Sequence, residues 1–152
     1  MAGKPAARDR KIAGVRRQGR LLAMKILYQA DLGGHELDAI CGRFEEYLKA
    51  PERAREFARF LAEGVLQKKA EMDAKIGEAL KGWEFGRLAE VDKQLLRVAV
   101  FELTFCEDIP ANVTMDEAIE IAKTYSGRDA SKFINGVLAA VCQRYASHKV
   151  EK

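Results

Sequence analysis

Residues 112–144, NVTMDEAIEIAKTYSGRDASKFINGVLAAVCQR, read as a helix, a glycine-bearing break and a second helix. In the first, Met115, Ala118, Ile119, Ala122 and Tyr125 recur at steps of three and four, the spacing that gathers apolar groups on one face. Thr114 followed by Glu117 has the form of a capping box at its start. The second helix places its core stripe on Ile134, Val137, Leu138, Val141 and Tyr145, while Phe133 lies about 100° around the axis beside Lys132. Phe133 is therefore a candidate exposed ring. Asp129 and Ser131 put it in the first turns of its helix, where backbone N–H groups point outward and attract phosphate. A ring, a cation and a helix start together make a platform for an unstacked base and its backbone. For Asn135 and Gly136 a structural role is expected, glycine allowing a close helix contact and Asn135 bonding across it.

Working outward, the same period runs through the chain. Proline occurs only at 5, 51 and 110, and no stretch sustains the alternation of a strand, which predicts an all-α fold of six to seven helices. Helix one is expected from about Val15 to Leu32, burying Leu21, Leu22, Met24, Ile26, Leu27 and Tyr28 and stopping at Gly33 and Gly34. A second is expected over residues 36–49 on Leu37, Ile40, Phe44, Tyr47 and Leu48. Pro51 suits the first position of a third, with Phe57, Phe60, Leu61, Gly64 and Val65 inward and a break between Gln67 and Met72. The segment from Val91 to Phe105 is apolar nearly all round, so it should be the central buried helix. Residues 1–13 are expected to be a disordered basic arm, 14–147 a single helical domain and 148–152 a frayed tail.

A chain of 152 residues can build a core without staples. Cys41, Cys106 and Cys142, odd in number and widely spaced, fit reduced thiols better than a disulfide framework. No apolar run approaches the roughly 20 residues that span a bilayer, and no signal segment is evident, so a cytoplasmic protein without membrane contact is expected. Residues 1–20 carry seven Lys and Arg against Asp9 alone, a net of +6, so a chain of net +3 leaves −3 for the other 132 residues. Charge concentrated at one end suits an arm that meets a polyanion. Arg16, Arg17 and Arg20 run directly into helix one, where side chains three and four apart share a face.

Catalytic motifs are wanting. GVRRQGR over residues 14–20 imitates a phosphate-binding loop but lacks its Lys-Ser/Thr ending, and His35-Glu36 begins a zinc helix whose second His position holds Ala39. The expectation is a non-enzymatic protein with no cofactor and no metal.

The runs DEAIEIAK at 116–123 and SKFINGVL at 131–138 resemble the signature of the NusB family of bacterial transcription antitermination factors. The resemblance extends to RLAEVDKQLLRVAVFELTFCEDI at 87–109 and RRQGRLLAMKILYQADL at 16–32. Where the family usually has Ile-Asn before the Glu of the first signature helix, this chain has Met115 and Asp116. The resemblance implies two small packed helical bundles that bind single-stranded boxA RNA of ribosomal RNA leaders. It also implies a small-subunit ribosomal protein, called NusE in this role, as partner, and the elongating RNA polymerase as the complex joined. By motif position it implicates Arg16, Arg17, Arg20, Asp129, Lys132 and Phe133 in RNA binding, and Tyr28 and Asp92 in contact with the protein partner. Two other readings stay open: a stand-alone relative of the helical domain of ribosomal RNA cytosine methyltransferases, and a protein-only scaffold. A homodimer of the free protein also stays open.

Overall fold

The computed structural model describes residues 7–150. Among these, eight α-helices and two short 3-10 turns account for the regular structure. The helices are α1 (Ala7–Gly33), α2 (Leu37–Arg43), α3 (Glu45–Leu48), α4 (Glu52–Gln67), α5 (Lys69–Ala79), α6 (Glu90–Phe105), α7 (Ala111–Tyr125) and α8 (Arg128–Tyr145). The chain divides within α4 into two compact units, Met1–Ala62 and Glu63–Lys152.

In the first unit α1 buries Leu22, Met24, Ile26 and Leu27, as its periodicity predicts, together with Ala23, but Leu21 is half-buried and Tyr28 is exposed. Helix α1 begins at Ala7 rather than near Val15, so residues 7–13 of the expected arm are helical, with charged side chains spaced along the first turns; residues 1–6 lie outside the described residues. At its other end the Gly34 N–H bonds the Ala30 carbonyl, the single bond of an αL cap. The helix expected over 36–49 is two, because Phe44 takes extended backbone between α2 and α3 and adds one helix to the count. Gly19 allows α1 to approach α4: a Cβ there would lie 2.9 Å from Phe57 Cδ2 and 3.1 Å from the Ala54 carbonyl oxygen. Phe60, expected in the core, is exposed and stacks on half-buried Phe57; the small residues Ala54, Ala58 and Ala62 occupy the buried face with Leu61.

The second unit is built round α6, which packs against α5, α7 and α8 and is buried continuously from Gln94 to Leu103. Each fully buried Leu or Val here contributes roughly 1.5–3 kcal/mol. The polar groups on this helix are matched. Arg97 donates through Nε and Nη2 to both Asp73 carboxylate oxygens at 2.7 and 2.9 Å and stacks over Phe85. Glu102, fully buried, accepts from the Thr114 hydroxyl at 2.8 Å. Thr114 is thus a buried partner of α6 rather than the expected cap; Pro110 precedes α7. The break between α4 and α5 falls at Lys68, inside the expected window. Residue 149, expected in a frayed tail, is buried: Lys149 Nζ donates to the carbonyls of Glu102 and Leu103, at the C-terminal end of α6 where a cation is favoured.

Helices α7 and α8 meet at Ser126–Gly127. Gly127 has φ 102°, a conformation L side chains rarely adopt, so glycine is required at this turn. The α8 stripe is buried at Ile134, Val137, Leu138 and Val141 as expected, with Tyr145 half-buried. In α7 the buried face is Ala111, Thr114, Ala118, Ile121 and Ala122, while Met115 and Ile119 are only half-buried and Tyr125 is exposed. The stripe is rotated because Thr114 faces Glu102.

Candidate nucleic-acid interface

The turn at Gly127 sets α7 and α8 side by side and leaves an open groove of about 690 Å³ in the second unit. Ile119 and Lys123 line it from α7, and Arg128, Ser131, Lys132 and Asn135 from α8. Three of these are cations, and no carboxylate is found among the described lining residues. Lys123 bonds Glu120 at 3.3 Å on the exposed surface, an interaction that water and salt weaken readily. Arg128, Asp129 and Ser131 occupy the first turn of α8, where orphan N–H groups add positive potential.

Phe133 is half-buried, neither sealed in the core nor fully open. Its ring packs edge-to-face with Trp83, centroids 5.7 Å apart at 61°. The expected platform is therefore organised differently from its sequence pattern. Lys132 lies in the groove with Lys123 and Arg128, Asp129 is exposed in the same turn of α8, and Phe133, one residue on, turns towards Trp83. The readings of Asn135 and Gly136 are corrected too: Asn135 lines the groove, and Gly136 is exposed with no atom within 4 Å of where a Cβ would be.

In the first unit the three arginines part company. Arg17 is exposed, Arg16 is half-buried, and Arg20, expected to share an outward face with them, is only 4% exposed. The guanidinium groups of Arg16 and Arg20 both lie 5.6 Å from the Phe57 ring centroid, a cation–π arrangement that fixes this turn of α1 against α4. A hollow of about 970 Å³ opens beside it, where Arg8, Lys11 and Arg16 of α1 face Arg53, Glu52, Glu56 and Phe57.

Of the two residues expected at a protein partner, Tyr28 is 39% exposed and Asp92 9%. The Asp92 carboxylate already accepts a hydrogen bond from Ser126. Sequence reasoning missed Lys123, Arg128 and Trp83. The two cations are legible as charges flanking the Ser126–Gly127 break, but only the turn brings them to Lys132; Trp83, the single tryptophan, lies in a segment with no motif to mark it. Among the described residues no group of three or more His, Cys, Asp or Glu side chains could hold a metal ion, and no helix is long and apolar enough to cross a membrane.

The all-helical fold and these motifs define a class of small helical proteins, here with a cationic groove beside aromatic rings. The family model described as "NusB family" matches residues 17–143, and the chain belongs to that family. It is 39% identical over 128 residues to the transcription antitermination protein NusB of Pelotomaculum thermopropionicum, covering 84% of this chain and 89% of that protein. T. maritima NusB superposes with a TM-score of 0.80 at 36% identity, covering 88% of this chain and 95% of that one. A structure of the antitermination factors NusB and NusE in complex with dsRNA gives a TM-score of 0.78 at 29% identity, covering 86% and 98%.

Proposed function

We propose that this protein is a transcription antitermination factor that binds boxA RNA of ribosomal RNA leaders together with the ribosomal protein NusE and joins the elongating RNA polymerase. Its relatives carry the antitermination name, and a structural neighbour is a complex of NusB, NusE and RNA. The observation that carries the reading on this chain is the groove where Lys123, Arg128 and Lys132 converge at the start of α8, next to Phe133. Phosphates supply most of the affinity of such a site, and a flexible strand can add a stacked base.

Within this reading Lys132, Phe133 and Asp129 act at the RNA, joined by Lys123 and Arg128. Arg16 and Arg17 of the first unit supply further phosphate contacts, whereas Arg20 acts indirectly through Phe57. Tyr28, with its exposed ring, is the residue we assign to the ribosomal protein. The mechanism is assembly without catalysis, in the cytoplasm. A labelled boxA leader RNA titrated with this protein, alone and with its ribosomal partner, tests it: binding that tightens with the partner is expected, and no binding in either case overturns the reading. A methyl-transfer assay with S-adenosylmethionine should be silent.

A further inference from the structure

Trp83 is 61% exposed, more than any other large hydrophobic side chain among the described residues. An indole left this open forgoes the burial that makes tryptophan valuable in a core, and wide aromatic surfaces of this kind mark contact sites. Its backbone is firmly placed. The Trp83 N–H bonds the Leu80 carbonyl at 3.1 Å, and Gly82 between them has φ 79°, the pattern of a type II turn. The side chain thus stands on a short pedestal between α5 and α6, with its ring against Phe133 at an interplanar angle of 61°. In this edge-to-face contact the two rings brace each other, and the indole keeps most of its surface open to solvent. One residue from Phe133, Lys132 enters the groove with Lys123 and Arg128.

We propose that Trp83, braced edge-on by Phe133, is a second nucleobase-stacking ring whose open surface takes one unstacked base of the strand whose phosphates the α7–α8 groove neutralises. The inference rests on the RNA-binding reading and deepens it. The chemistry of the surroundings selects the occupant. An apolar anchor from a protein would need the rings alone, whereas a nucleotide needs an aromatic wall and cations beside it, and the helix that carries Phe133 also carries Arg128 and Lys132 of the groove. The exposed neighbours Glu84 and Arg87 pair with each other at 3.3 Å, so they add little net charge of either sign.

Because Trp83 is the single tryptophan, the emission of the full chain reports on this one position. A labelled single-stranded boxA oligonucleotide is titrated into the protein, reading label anisotropy for binding and tryptophan emission for stacking. Emission should be quenched with the same midpoint as the anisotropy change. Trp83→Ala should weaken binding about tenfold, Trp83→Phe should retain most of the affinity, and the salt slope of Trp83→Ala should match the wild type because no phosphate contact is lost. Unchanged emission on saturation, or wild-type affinity in Trp83→Ala, overturns the inference; so does a Trp83→Ala chain that binds RNA normally but loses the ribosomal protein. Failure of the wild-type chain to bind the oligonucleotide brings down the RNA reading itself, a result distinct from these.

Discussion

The Ser126 hydroxyl donates a 2.6 Å hydrogen bond to the Asp92 carboxylate, joining the residue that follows α7 to the first turn of α6. A carboxylate so placed both favours the start of its own helix and fixes the turn that shapes the α7–α8 groove. Asp92→Ala is expected to cost about 1–3 kcal/mol, a loss of several degrees in Tm. Thermal melts alongside binding of the ribosomal protein check this. A variant that melts like the wild type yet loses the partner would return Asp92 to the protein interface.

Gly64 shows how a close approach reverses a usual rule. Alanine in place of a glycine inside an exposed helix gains about 1 kcal/mol. Here the added Cβ would lie 2.1 Å from Phe101 Cζ, and Phe101 is itself buried. Gly64→Ala should therefore destabilise the protein by about 1–3 kcal/mol, and Phe101→Leu in the same chain should recover part of that loss. Denaturant titrations of the two single variants and the double give the coupling; additive losses would mean the ring moves aside freely.

Salt dependence separates the cations. Each phosphate contact removed from a single strand lowers the slope of log K against log salt by about 0.7. Lys123→Ala and Arg128→Ala should each flatten it by about that amount, as should Arg16→Ala and Arg17→Ala. Arg20→Ala, taken from beneath Phe57, should lower Tm and leave the slope where it was. Slopes measured between low and moderate salt decide the matter, and a flattened slope in Arg20→Ala would show it reaching the RNA.

All three thiols are buried. Removal from water pushes the Cys142 thiol above its ordinary range, against the opposing charge of Lys149, so less of the reactive thiolate is present at any given pH. The folded protein should react slowly with a thiol reagent at neutral pH, and all three groups should titrate promptly in denaturant. Rapid labelling of the native chain would contradict this burial.

The helical class, the central helix α6, the break near Lys68 and the glycine turn before α8 were legible because each follows from local period or local backbone demand. What escaped has non-local causes. The buried face of α7 is rotated by a bond from Thr114 to a glutamate on another helix, and the Phe44 break follows a lone Gly42, a residue that a helical pattern also tolerates. Arg20 resembles Arg16 and Arg17 in sequence, yet only packing against Phe57 draws it inward. Lys132 and Phe133 were found as a pair, but their separate neighbours, the groove and Trp83, come from segments a sequence pattern does not connect.

Lys149 closes the carbonyl end of α6 from 47 residues beyond Glu102. During synthesis that plug is unavailable until α7, α8 and the following turn have left the ribosome. The second unit must then wait for that turn before its central rod is finished, so the helix at its middle is among the last to be locked.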